Sequence, residues 1–195
     1  MSDVTICNQA LSHLGSEVQI VSIDPPDGSR EAGYCARFFR VARMELIELH
    51  NWSFALRRKR LALSAVEPPF GWTYAYSAPA NAIEVIEVIP GGDDEGMRFQ
   101  FENGIIYTNA PFASVLYKVD VPDTTQWTPL FASALSYLLA SYLAGPLIRG
   151  AQGAQTANAW REAATSAIFR GAASDANQAH EDHMTFTPAA LSARQ

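Results

Sequence analysis

Cysteine is scarce in this chain. Of 195 residues only Cys7 and Cys35 carry a thiol, in no metal-ligand spacing, and each falls on an apolar helical stripe. That pattern reads as two buried free thiols in a reducing compartment, and it excludes a disulfide framework or a cysteine zinc site. Catalytic signatures are equally scarce. No Gly-x-Ser-x-Gly elbow surrounds Ser64, Ser77 or Ser114, and no glycine loop is placed to cradle a phosphate. His180-Glu181-Asp182-His183 lacks the HExxH spacing that sets two imidazoles one helical turn apart, so it reads as solvated side chains. Asp93-Asp94-Glu95 lacks the further oxygens at regular spacing that a hard cation needs, and reads as a solvated hairpin loop. Glu84 and Glu87, three apart on an expected strand, should face opposite ways and make no carboxylate pair. His13 and His50 stand near expected helix C-termini, where imidazoles commonly meet the last carbonyls. The expectation is therefore no catalytic residue, no cofactor and no metal: a protein that is not an enzyme. The opening stretch MSDVTICNQALSHLG has neither a basic n-region nor a cleavage site, so no secretory signal is expected and synthesis is placed in the cytoplasm.

What the chain does have is charge gathered in one place. Its net charge is −6, which argues against a protein that coats nucleic acid generally. Yet the segment from Arg30 to Arg60 holds eight of the fourteen basic residues and three of the twenty acids, about +5 against about −11 for the remainder. At 3.6 residues per turn, Cys35, Phe38, Phe39, Ala42, Leu46 and Leu49 gather on one stripe of a long helix, with Arg37, Arg40 and Arg43 on the opposite side. None of these arginines has an acid three or four positions away, so their partners must come from elsewhere. A solvated face, a nucleic-acid contact and a protein contact all remain open for this row.

In chain order, Val4 to Leu14 reads as a short helix capped by Ser2 or Asp3 and closed by Gly15. The rigid turn Asp24-Pro25-Pro26-Asp27-Gly28 leads into the long helix, which Ser29 or Asp27 can cap and which ends near His50-Asn51. From Trp72 to Val121 the period changes to two, with Asn103-Gly104 as a type I′ hairpin signal, predicting one antiparallel sheet of four or five strands. Trp72, Tyr74 and Tyr76 could stack single-stranded bases, but without basic neighbours they read as a packed sheet face. Helical spacing returns at Thr128-Pro129, a cap followed by a first-turn proline. No charge occurs from Thr128 to Ile148; interrupting serines and Gly145-Pro146 favour a core helix over a membrane span. A last, alanine-rich helix is expected from Gln155 to Ala173. The fold class is α+β, mainly α: a helical body from 1–66 and 124–173, an antiparallel β insertion at 67–123, and a C-terminal arm at 174–195. In that arm Met184, Phe186 and Leu191 are spaced like separate anchors, and Pro188 opposes helix formation.

Several motifs occur together in this order: Ile6-Cys7-Asn8-Gln9-Ala10-Leu11 with Leu14-Gly15, then Ala36-Arg37-Phe38-Phe39 with Ala42-Arg43. His50-Asn51-Trp52-Ser53-Phe54-Ala55 with Arg57-Arg58 follows, then Tyr74-Ala75-Tyr76 with Pro79, and Thr108-Asn109. Trp127 with Pro129-Leu130-Phe131, Ala140, Leu143-Ala144 and Pro146-Leu147 complete the set. Over Val4 to Ile148 the chain resembles the tail tubular protein A family, the head-to-tail adaptors of short-tailed bacteriophages. The resemblance implies a helical body with a small β insertion and a homo-oligomeric ring, usually of twelve copies, between the portal protein and a downstream tail or nozzle protein. It implies a place at the head–tail junction of the virion, assembled in the host cytoplasm, with no membrane partner. Packaged DNA would pass through the ring without sequence recognition. Arg37, Arg40 and Arg43 then become candidates for contacts between neighbouring copies. Met184, Phe186, Pro188 and Leu191 become a candidate portal-docking arm. A DNA-binding protein using the arginine face and a virion-associated enzyme are the competing readings.

Overall fold

The structure is a computed structural model and describes residues 1–91 and 96–176. Helix α1, Asp3–His13, starts where the Ser2 hydroxyl accepts from the Thr5 amide, and Gly15 at φ 73° turns the chain away. The linker that follows is held by one side chain: Asn8 donates to the Ile20 carbonyl at 3.0 Å and accepts from its amide at 2.9 Å. Asp27 then accepts from the Val21 amide and from both the amide and hydroxyl of Ser29, whose own oxygen caps helix α2, Arg30–Leu49. The two candidate caps act in series.

Helix α2 buries Ala32, Cys35, Phe39, Ala42, Arg43, Leu46 and Ile47, while Leu49 is exposed and Phe38 only half-buried. The buried stripe is therefore turned about 50° from the expected one, at 100° per residue. The turn carries Arg43 and Ile47 inward and Leu49 outward. Hydrophobicity alone cannot foresee it, because it depends on an acid from a distant strand that makes burial of Arg43 tolerable.

Seven strands follow among the described residues: β1 Leu56–Arg60, β2 Ala62–Leu63, β3 Tyr74–Ser77, β4 Ala82–Ile89, β5 Phe99–Glu102, β6 Ile105–Thr108 and β7 Ser114–Val119. They form two antiparallel sheets, in the orders β1-β7-β4 and β2-β3-β6-β5. The single sheet expected from the sequence is thus replaced by two, and the strands begin at Leu56 rather than at residue 67. The run Arg57-Arg58-Lys59-Arg60 has no apolar alternation; it is a strand because β7 pairs with it. The hairpin at Asn103-Gly104 is present, with φ of 48° and 77° joining β5 to β6. Register shifts in β4 set Glu84 opposite Lys118 and Glu87 opposite Leu116. Those partners are two apart on β7, so Glu84 and Glu87 share one face, correcting the expectation drawn from regular alternation.

Helix α3, Pro129–Leu147, begins with the Thr128 hydroxyl accepting from the Phe131 amide and proline in the first turn. It packs against α1, α2 and helix α4, Ala151–Ala176, and buries residues around much of its circumference, from Phe131 to Ala144. It is long and apolar enough to cross a membrane, but 61% of that span is buried inside this fold. Helix α4 extends beyond both ends of the expected span, after Gly150 at φ 75° breaks the chain from α3. The architecture is α+β and mainly α: the described residues form four α-helices and two small antiparallel sheets.

Candidate functional site

The three arginines of α2 have three different environments. Arg43 is 6% exposed and grips Asp120, just past β7, through Nε at 2.9 Å and Nη2 at 2.8 Å. Its charge is satisfied within its own chain, which removes it from the candidate contacts between copies. Arg40, with its side chain 76% exposed, reaches only the margin of the same carboxylate, at 4.0 Å. Arg37 is exposed and lies over the Tyr34 ring, 5.8 Å from its centre. Arg37 and Arg40 border a shallow depression of about 560 Å³ with Ala36, Val41, Met44, Glu45 and Glu48. Glu45 accepts from Tyr142 and faces Arg161 at 3.3 Å, and burial together with this carboxylate holds the Tyr142 pKa above its usual value. Of the three arginines in the α2 row, Arg43 is thus structural, while Arg37 and Arg40 are open to a partner.

Two more ion-paired groups tie the sheets to the helices. Lys118, its side chain 3% exposed, donates to the Glu48 carbonyl at 2.8 Å and meets Glu84 at 2.7 Å. Asp175, near the end of α4, accepts from the amide and hydroxyl of Ser53 at 2.8 and 2.7 Å. His50 stands 3.9 Å from the same carboxylate. Here the serine donates to the acid, not to the imidazole, so the trio lacks the Ser–His–Asp order of a nucleophile and its base. It fastens α4 to the junction between α2 and β1.

His13 and Ser136 are 3.2 Å apart, but the Ser136 hydroxyl donates to the Ser133 carbonyl at 2.8 Å. That leaves no serine proton for the imidazole to take. The ring also packs against both Tyr137 and Trp160, with centres 4.9 and 4.6 Å away, and burial lowers its pKa. Cys7 and Cys35 are buried free thiols; their mutual contact and burial push the Cys7 pKa upward, away from a reactive thiolate. Burial raises the Asp3 pKa against the opposing pull of Arg43, and its Oδ1 is buried without a hydrogen-bond partner. Among the described residues no three His, Cys, Asp or Glu side chains gather as metal ligands. The sequences 93–95 and 180–183, and the arm residues Met184, Phe186, Pro188 and Leu191, lie outside the described residues.

Sequence reasoning missed the most basic surface as a structural unit. Arg57, Arg58, Lys59 and Arg60 are all exposed on β1, an edge strand. Among the described residues none of them is within 4.0 Å of a carboxylate. Four consecutive bases with no acid between Glu48 and Glu67 were the available signal. Beside this strand, Arg60, Leu61, Leu63, Tyr74, Tyr76, Pro111 and Phe112 line an apolar groove of about 520 Å³. Tyr76 is buried, with its hydroxyl donating to the Ala110 carbonyl, while Trp72 lies under Arg98 at 5.2 Å. The Trp72-Tyr74-Tyr76 set is therefore divided between packing and an ion–aromatic contact. Compared with known proteins, the chain matches no family model and no curated protein.

Proposed function

We propose that this protein is a structural head-to-tail adaptor of a short-tailed phage, assembling as a ring of about twelve copies between portal and tail around the DNA exit channel; the copy number comes from the resemblance and the closure from the symmetry of head-to-tail contacts. The observation that carries this reading is the role of the motif residues. Asn8 pins the linker, the Trp52 indole donates to the Leu46 carbonyl, Tyr76 to Ala110, and the Trp127 indole to Val121. Asn109 accepts from Thr73, and Thr128 caps α3. Side chains that join elements in this way support a scaffold whose output is shape and contact. Arg37 and Arg40 supply exposed charge for a neighbouring copy; the arm with Met184, Phe186, Pro188 and Leu191 is the proposed portal-docking element.

Particle imaging of the purified protein, alone and on portal-bearing heads, is the direct test. Rings on the portal vertex are the expected result; a monomer that ignores the portal overturns the reading. Deletion of residues 185–195 should reduce attachment, and undiminished attachment removes the arm from the proposal. The DNA-binding alternative draws on the exposed bases of β1, and would show as steeply salt-dependent affinity for free duplex.

A further inference from the structure

We propose that the basic outer edge of β1 docks against the acidic outer edge of β4 in the next copy, so that one three-stranded sheet continues into its neighbour. This contact rests on the ring reading above and names the surfaces that would close it. β1 and β4 are the two opposite edges of the same sheet. A contact from one edge to the other is head-to-tail by construction and repeats with every added copy.

The side chains match in sign, face and spacing. Arg58 and Arg60 lie opposite Leu116 and Ser114, so they share a face of the sheet and stand two residues apart. The bulges in β4 place Glu84 and Glu87 opposite Lys118 and Leu116, on that same face and with the same two-residue pitch. Without a bulge a three-residue separation would send the two carboxylates to opposite faces. A sheet continued edge to edge keeps one face up, which brings the carboxylates of one copy alongside the guanidinium groups of the next. β1 is exposed from Arg57 to Arg60 and the Glu84 side chain is 52% exposed; on β4 the Met97 amide already donates to the Val88 carbonyl at 2.8 Å and Glu87 is half-buried, so the contact falls on the part of β4 before Val88. With four positive charges on β1, a chain of net −6 carries −10 on its remainder, so a second copy is itself an anionic partner.

Nucleic acid fits this surface less well. A duplex laid on the Arg58 and Arg60 face would also meet Glu84 and Glu87, while Arg57 and Lys59 project from the other face. An added strand uses both rows, and its backbone can pair with the free edge. Charges on edge strands also deter unwanted pairing. Requiring a complementary acidic edge turns that deterrent into selectivity for the correct neighbour.

β1 and β4 run parallel, so the shared pitch sets Arg60 beside Glu87 and Arg58 beside Glu84. The test compares the wild-type chain with Arg60→Glu, with Glu87→Lys, and with both substitutions in one chain. Arg58 and Glu84 are left intact because Glu84 neutralises buried Lys118. Sedimentation reads self-association, imaging counts copies on portal-bearing heads, and circular dichroism checks each fold. The two single variants should each lose at least about tenfold in association, and the double variant should recover most of that loss. Wild-type association in the Arg60→Glu variant overturns this contact while leaving the ring reading standing. So does a double variant no better than its parents. A wild-type chain that stays monomeric alone and on the portal overturns both. Loss of duplex DNA affinity with assembly unchanged assigns the edge to nucleic acid instead.

Discussion

Arg43 and Asp120 are 77 residues apart in sequence and meet through two hydrogen bonds of 2.9 and 2.8 Å, one to each carboxylate oxygen. This planar two-point contact joins α2 to the end of β7, and it determines which face of α2 is buried. An arginine on the inward face of an amphipathic helix is tolerable only because that carboxylate waits for it.

The first prediction follows directly. Asp120→Ala leaves the Arg43 guanidinium buried and unpaired, and should destabilise the fold by about 2–4 kcal/mol in urea titration, with Asp120 a quarter exposed. Arg37→Ala, on the exposed side of the same helix, should change stability by less than about 0.5 kcal/mol. Equal effects from the two would mean that the Arg43 contact contributes nothing.

Two glycines in helices should respond with opposite signs. A Cβ at Gly171 would stand 2.7 Å from Cη2 and 2.9 Å from Cζ3 of Trp52, an indole that is fully buried. Overpacking costs about 1–3 kcal/mol and outweighs the helix-propensity gain of at most about 1 kcal/mol, so Gly171→Ala should destabilise. Gly33 on α2 has open space at that position, so Gly33→Ala should stabilise by about 0.5–1 kcal/mol. Paired thermal melts decide both.

The histidines make stability depend on pH. Burial holds the His13 pKa below its ordinary value; burial does the same for His50, against the pull of Asp175. The unfolded chain then binds more protons than the folded one once pH drops below about 6.5. Stability should therefore be full above that value and fall as pH descends through the folded-state values. Urea midpoints at about pH 7.5 and 5.5 should differ in this direction, and His13→Gln should shrink the difference. A midpoint that rises on acidification would contradict the sign.

Phe112 holds a left-handed backbone, φ 52°, while 72% exposed at the rim of the apolar groove. Asparagine accepts this conformation more readily than phenylalanine does. Phe112→Asn should raise stability by about 1 kcal/mol in denaturant titration. Lower stability would show that the ring packs more than its exposure indicates.

The candidate site was legible only in part. A helical wheel shows angle and not partner, so it sets Arg43 in one row with Arg37 and Arg40 and cannot show that only Arg43 meets Asp120 through hydrogen bonds. The bases of β1 are visible in sequence as charge but not as an edge, since four consecutive bases carry no period of two. Regular alternation separates Glu84 from Glu87, and bulges suspend that rule.

Features whose causes lie within a few residues can be read directly from the chain. Ser2, Ser29 and Thr128 cap their helices because a short hydroxyl side chain reaches the amide three residues on. Asn103-Gly104 turns a hairpin because both residues tolerate positive φ. The run from Pro129 to Leu147 starts as a helix because Thr128 caps it and proline suits its first turn. The rotation of α2, the division into two sheets, the strand at Leu56–Arg60 and the common face of Glu84 and Glu87 arise from packing instead. Each depends on a partner from a distant part of the chain: Asp120 for Arg43, and β7 for both β1 and β4. Local pattern sets what a segment can form; the partner that folding brings to it sets which face is buried and which edge is left open.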